Sequence, residues 1–266
     1  MFADPTSAAP RLVSLATATP KITLRQAEVT EQAARHFARN PAAFDWLAPI
    51  YRNAEIDTRH SCVEPDWYRA AVHQRSGAAV RLAWIGQRAV LPSLACASEQ
   101  LAAASRALPG LALWLICDTV PEGLPLSVVL RPWSSASEAD DLAESDIGIS
   151  WLVDDLWSPG KCGLKVLQYM AAGLPVVANP VGIHRRLIAD GVTGFLAETP
   201  AEWARAITRL AADPSLRTQM GAAARQRVID EYSVGKWGPR LTTVLEAVAR
   251  GDLAGSGVAQ PGVARS

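Results

Sequence analysis

Net charge is missing from this sequence: Lys plus Arg and Asp plus Glu both number 26. A chain built to hold nucleic acid or an anionic membrane carries a field of one sign, so neither is expected as a partner and any anion site has to be local. Long apolar runs are missing too. The longest compact one, LALWLIC at 111–117, falls far short of the about 20 residues that span a bilayer and suits a buried strand. No transmembrane segment is expected. The opening MFADPTSAAP has neither the charged nor the apolar stretch of a secretory leader, which makes the cytoplasm the expected compartment. Metal-ligand spacing is also absent. Cys62, Cys96, Cys117 and Cys162 stand far apart and read as free thiols of a reducing compartment, and no metal site is expected.

What is present is an alternation of short apolar runs and helical patterns from Val80 onward. The runs at 80–86, 111–117, 127–131, 146–151, 175–178 and 194–197 are expected strands, most of them separated by helices. That order predicts a mainly parallel sheet covered on both faces. Thr199, Pro200 and Glu202 compose a helix start with N-cap, first-turn proline and capping-box glutamate, followed by a buried stripe of Trp203, Ile207 and Leu210. Asp213 and Pro214 start the next helix in the same way, with Leu216, Met220 and Val228 turned to the sheet. A last helix is expected over 237–249, and the tail GDLAGSGVAQPGVARS after it as disordered.

Residues 1–78 do not share this pattern. RLVSLATATP reads as a strand, a helix opens at Thr23 with Gln26 three residues on and an apolar face of Val29, Ala33 and Phe37, and FDWLAPIYRNA reads as a second helix. The expected division is therefore 1–78, 79–250 and a tail 251–266.

One segment concentrates chemistry. WSPGKCGLKVLQYMAAGLPVVANPVG, beginning at Trp157, reads as a glycine-bearing turn, a helix, a second turn and a strand. Leu164, Leu167 and Met170 with Ala171 are its apolar side, while Lys161, Lys165 and Gln168 recur at i, i+4 and i+7 on the opposite one. Two ammonium groups beside the unpaired N–H groups of a helix start attract a diphosphate, and Gly160 and Gly163 let it approach the backbone. A solvated lysine face has the same spacing. Spacing alone leaves both readings open.

Several blocks, in order, resemble the C-terminal, nucleotide-binding half of a GT-B retaining glycosyltransferase of the group 1 (family 4) type: RLAWIG at 81–86, LRPWSSASEADDLAESDIGIS at 130–150, GKCGLKVLQYMAAGLPVVANPVGIHRRLIADGVTGFLA at 160–197 and EWARAITRLAADPSLRTQMGAAARQRVIDEYS at 202–233. Residues 10–68, with DTRHSCVEPDWY at 57–68, resemble the start of a type III polyketide synthase, a chalcone-synthase-like enzyme of the thiolase fold. The fold so implied is α/β: a Rossmann-like, mainly parallel sheet with an N-terminal thiolase-like αβ fragment. Cys62 lies in the piece that precedes that second family's nucleophile, and none of its Cys-His-Asn set is implied here.

The first resemblance implies glycosyl transfer from a nucleotide-diphosphate sugar, bound as substrate with no cofactor and no metal, to an unknown acceptor. It places Lys161, Lys165, Arg88, Gly86 and Gly182 at the donor diphosphate, and Gln168, Arg131 and Trp133 at the ribose and base. Each has a structural alternative: a strand-end turn for Gly86, a surface arginine for Arg88, a core ring for Trp133 and an empty helix start for Gly182. His184 is expected on the surface or behind the site rather than as a base. Many relatives carry two glutamates eight positions apart where this sequence has Gly160 and Gln168, so the first carboxylate is lost and the second is replaced by an amide. The turn before GKCG also lacks the expected proline-rich pattern. The half that would hold the acceptor is not represented. The alternatives are a non-catalytic nucleotide- or partner-binding remnant of a gene fusion and, more weakly, a polyketide-synthase-type acyltransferase. Self-association, or a partner chain supplying the missing half, would cover a stripe of Trp237, Leu241, Val244 and Leu245 on the last helix.

Overall fold

A computed structural model describes residues 62–155, 158 and 161–249, with side chains as far as 243. The chain divides into two compact units, Ser61–Val234 and a second that joins Gly235–Ser266 to Met1–His60. The polyketide-synthase-like reading of residues 10–68 lies, apart from 62–68, outside the described residues.

In the first unit the strands are β1 (Arg81–Ile85), β2 (Ala112–Cys117), β3 (Ser127–Pro132), β4 (Ile147–Ser150), β5 (Val176–Ala178) and β6 (Gly194–Leu196). The helices are α1 (Leu91–Ala95), α2 (Ser98–Ala107), α3 (Glu138–Ala143), α4 (Leu164–Ala171), α5 (His184–Leu187), α6 (Pro200–Ala212) and α7 (Pro214–Tyr232), and α8 (Val234–Ala249) follows. All six expected strands are present within a residue or two of their expected ends. Every pairing is parallel, in the order β3-β2-β1-β4-β5-β6. Such strands are covered on both faces, which is why β1, β2 and β4 read as unbroken apolar runs.

Side-chain alternation divides the sheet. Leu82, Trp84, Leu113, Leu115, Ile147, Ile149 and Val177 pack with α1, α2 and α6 into one core that also holds Trp203, Ile207 and Leu210. The opposite face carries α4, whose Tyr169 ring lies so close to Gly148 that a Cβ there would sit 2.5 Å from it. The helix starts are those expected. Glu202 N donates to Thr199 Oγ1 at 3.3 Å and Thr199 N to Glu202 Oε2 at 3.0 Å, while Leu216 N donates to Asp213 Oδ1 at 2.9 Å. Two expectations need correcting. Leu164 does not join the apolar face of α4 but is 44% exposed, and Val166 and Tyr169 are buried instead. The last helix begins at Val234, ahead of Trp237, with Pro239 inside it.

The amino-terminal edge of the sheet is closed by a buried carboxylate. Asp146 accepts from the Arg81 amide at 3.0 Å and from Arg75 Nη1 at 3.2 Å, with His73 Nδ1 at 3.8 Å and Arg217 Nη2 at 3.9 Å. Burial alone would raise its pKa, but His73, the Arg81 amide, Arg75 and Arg217 together hold it below the ordinary carboxylate range. This cluster joins β1, the turn before β4, α7 and the crossing segment 68–76. That segment is further fastened by Ala71 N to Ala172 O at 2.9 Å and by the Arg225 guanidinium to Tyr68 O at 2.7 Å.

Asp146→Ala is expected to cost about 3–5 kcal/mol, because it leaves the buried Arg217 and the half-buried Arg75 without their anion. Urea unfolding at neutral pH measures it. A depressed carboxylate stabilises above its unfolded pKa of about 3.9 and loses that contribution as pH falls through the folded value, so wild type and variant should converge only in strong acid. Gly221→Ala sets a gain in helix propensity of about 1 kcal/mol against a Cβ placed 1.9 Å from the Gly173 carbonyl oxygen. The overlap wins, and a lower unfolding midpoint is the expected result.

Candidate functional site

A parallel sheet whose strand order reverses opens at the carboxyl ends of the two strands where the reversal occurs. Here those are β1 and β4. They pair only through Leu82 with Ile147 and Ala83 with Gly148, whereas β1 follows β2 along its whole length. Beyond Ala83 the Ile85 amide finds no strand partner on that side and donates to the Tyr169 phenol oxygen at 3.0 Å. The crevice begins there.

Gly163 starts α4 at the mouth of this crevice. Its φ is +72°, and a Cβ would come within 2.4 Å of Leu187, so only glycine turns the chain here. Lys165, one turn before Tyr169 on the same helical side, is carried over the end of β1, and its ammonium lies 3.8 Å from the centroid of the Trp84 ring. The side chain is half-buried and its charged end desolvated. That desolvation, with the neighbouring Lys161, pushes Lys165 down to about 7. Among the described residues no carboxylate pairs with either lysine. The Trp84 indole N–H has no acceptor, so the ring offers the cation its face alone.

Next to the lysines His184 is buried, not on the surface; that expectation is corrected. Its Nδ1 lies 2.9 Å from the Asn179 carbonyl, which only accepts, so Nδ1 carries the proton and Nε2 receives the Ser150 hydroxyl at 2.9 Å. Burial foremost, assisted by the two lysines, lowers its pKa to about 4 against the opposing Asn179 bond. A neutral imidazole thus ties α5 to the end of β4, a structural role. Gly182, two residues before, has φ +51° and a Cβ position 2.9 Å from Ser158 O. It opens a turn into the four-residue α5 rather than a long helix.

A second polar cluster, joined to α4 through Gln168, gathers round Glu138, a residue that sequence reasoning did not single out. Its Oε1 accepts from the Tyr68 phenol at 2.6 Å and from Gln168 Nε2 at 2.6 Å, and its Oε2 from Trp133 Nε1 at 2.7 Å. Gln168 and Trp133 therefore meet. Trp133 is 52% exposed. Arg131 is engaged elsewhere: its guanidinium lies 2.6 Å from Asp141 Oδ1 and over the Trp114 ring. Arg88 is exposed on the rim, 3.7 Å from Asp118. Tyr68 and Glu138 lie far from Gln168 in sequence, and no local spacing signals them.

Residues 157–227 match the family model described as "Glycosyl transferases group 1". The D-inositol 3-phosphate glycosyltransferase of Streptomyces avermitilis is 45% identical over 64 residues, which are 23% of this chain and 14% of that protein. The chain thus spans about a seventh of that relative's length. Among solved structures, the sucrose-phosphate synthase of Thermosynechococcus elongatus superposes with a TM-score of 0.56 at 18% identity, over 72% of this chain and 52% of that one. The HepE protein of Anabaena, solved with UDP and glucose, gives a TM-score of 0.57 at 15% identity, over 73% of this chain and 57% of that one. At such identities these structures establish the fold.

Lys165→Met is expected to stabilise the unliganded protein by about 1 kcal/mol, since a desolvated cation without a counter-ion is replaced by an apolar chain of similar length. A lysine whose folded pKa is lowered is a cost to folding below that pKa, and the cost fades as pH climbs to the unfolded value near 10.5. The variant's advantage should accordingly be largest below pH 7 and shrink above it, which thermal unfolding across pH tests. Residues 157–227 thus resemble the group 1 glycosyltransferases, and the six-stranded parallel sheet in which they are set shares the fold of these solved structures.

Proposed function

We propose that the crevice between β1 and β4 binds a nucleotide-diphosphate sugar, as the donor of a glycosyl transfer. The observation that carries this reading is the pair of ammonium groups, Lys161 and Lys165, without counter-ions among the described residues at the carboxyl edge of a parallel sheet. Unpaired cations in a desolvated cleft are costly unless an anion completes them. A diphosphate supplies two negative charges and accepts charge-assisted hydrogen bonds. Gly86 and Gly182 give it backbone to lie against, and Arg88 reaches it from the rim once released from Asp118. Gln168, with Glu138 behind it, receives the ribose, and the face of Trp133 receives the base.

In a transfer reaction the same lysines stabilise the charge that develops on the departing diphosphate, where preorganised cations in a dry site lower the barrier most. An acceptor must be held opposite, and orientation within a closed cleft supplies much of the remaining rate. The described residues provide the donor wall of such a cleft. Binding without efficient transfer is the expected behaviour of this chain alone, a partner chain or a second copy providing the opposite wall.

Calorimetric titration with UDP-glucose and with uridine, guanosine and adenosine diphosphates tests the reading. One of these should bind, and the double change Lys161→Ala with Lys165→Ala should weaken it about a hundredfold, the sum of two charge-assisted contacts. No heat with any of them from folded protein would overturn the proposal. Turnover above about one per second with a defined acceptor would overturn the expectation of a lone donor wall.

A further inference from the structure

We propose that Glu138 is a specificity-determining residue of this site: it accepts a hydroxyl of the donor's ribose, and Tyr68, Trp133 and Gln168 hold its carboxylate in place to do so. The inference rests on the donor-binding reading above and adds the residue that makes the site select a ribonucleotide.

Three donors reach the Glu138 carboxylate from three separate parts of the fold. The Tyr68 phenol donates to Oε1 at 2.6 Å from the crossing segment, Gln168 Nε2 to the same oxygen at 2.6 Å from α4, and Trp133 Nε1 to Oε2 at 2.7 Å from the end of β3. All three are neutral. Burial foremost, then the bond to Glu138, raises the Tyr68 phenol, so it keeps its proton and donates. The neighbouring acids are treated differently. Asp140 pairs with Arg69 at 3.2 Å, Asp141 with Arg131 at 2.6 Å and Glu144 with Arg81 at 3.8 Å, whereas no cation pairs with Glu138 among the described residues. Its carboxylate is therefore oriented without being neutralised. Such a group has about four acceptor positions, of which three are taken, and the fourth suits a donor that carries no negative charge.

The surroundings identify that donor. Gln168 follows Lys165 by three residues on the same helical side, about 4.5 Å further along α4. Trp133, bonded to the other carboxylate oxygen, is half exposed. The contacts thus run from an aromatic ring, through a carboxylate and an amide, to the lysines. Base, ribose and diphosphate follow one another in the same order along a nucleotide, and the ribose is the part with two adjacent hydroxyl donors and no charge. Tyr68 acts through Glu138 and is a positioning residue. It is buried, its carbonyl receives Arg225 Nη1 at 2.7 Å, and the Ala71 amide nearby donates to Ala172 O at 2.9 Å, so the phenol is delivered from a fastened backbone.

Isothermal titration of the full chain with uridine, guanosine and adenosine diphosphates, each beside its 2′,3′-dideoxy counterpart, tests the inference. Wild type should bind the ribose form of its preferred nucleotide at least about tenfold more tightly than the dideoxy form, because the latter leaves the carboxylate position unfilled. Glu138→Gln keeps the size and removes the charge. It should bring the two affinities to within about twofold of each other, by weakening the ribose form while the dideoxy form binds as before. Tyr68→Phe should reduce the ratio in the same direction, whereas a purely structural loss lowers both affinities together. The wild-type ratio and Tyr68→Phe keep the test decisive if Glu138→Gln does not fold. Equal affinities in wild type, a ratio that survives in either variant, or a parallel fall of both affinities overturns the inference and leaves donor binding standing. Absence of binding to every one of these nucleotides by folded wild type overturns the donor reading and the inference with it.

Discussion

The amide of Ile85 has nowhere to go in the sheet, and the molecule is arranged around how that is resolved. Reversal of strand order at β1 and β4 makes the two strands part after Ala83 and Gly148. An unpaired buried N–H is costly, so it must be capped from outside the ladder. Tyr169 does this from α4, and the ring reaches the amide only because residue 148 has no side chain. With Tyr169 fixed, the residue one turn earlier on α4 must face the same gap. That residue is Lys165, and the turn that precedes it brings Lys161 alongside. The cap that closes the sheet therefore also aims the cations.

The two edges of the sheet treat charge in opposite ways. At the amino-terminal edge Asp146 is buried with two arginines, a histidine and a backbone amide around it, and the charges are matched. At the carboxyl edge two lysines lie together with no carboxylate paired to either among the described residues. Matched buried charges hold the crossing segment 68–76 and α7 in one arrangement. Unmatched ones raise the energy of the empty protein, which is the physical basis of the proposed anion binding.

The strands were legible because fully buried parallel strands leave no polar face to interrupt the apolar run. Capping chemistry is local, so Thr199 with Glu202 and Asp213 with Pro214 announced their helices, and the row of Lys161, Lys165 and Gln168 was visible as a helical period. What escaped was long-range. Glu138 is met by Tyr68, 70 residues away, and by Gln168, 30 residues away, pairings that no window of sequence contains. His184 sits on a helix too short to have a period, so nothing distinguished burial from exposure. Arg217 is wholly buried amid polar neighbours on α7, because its partners Asp146 and the Arg75 carbonyl come from other elements. Leu164 failed for the opposite reason: as the first residue of α4 it precedes the packed turn.

Position 168 shows how a lost carboxylate can be offset by one from elsewhere. An amide there donates as well as accepts, and its Nε2 donates to Glu138, which leaves the amide oxygen turned to other partners. Glu138 accepts three donors across its two oxygens, and four acceptor positions are available to a carboxylate, so one remains for a ligand hydroxyl. No cation pairs with Glu138 among the described residues, and its negative charge would repel phosphate while accepting from hydroxyl groups. The side of α4 is thereby flanked by cations at Lys161 and Lys165 and by the Glu138 carboxylate at Gln168. On the proposed donor reading, a ligand with a dianionic middle and a hydroxyl-bearing ring beside it would match that order in one direction and be repelled in the other.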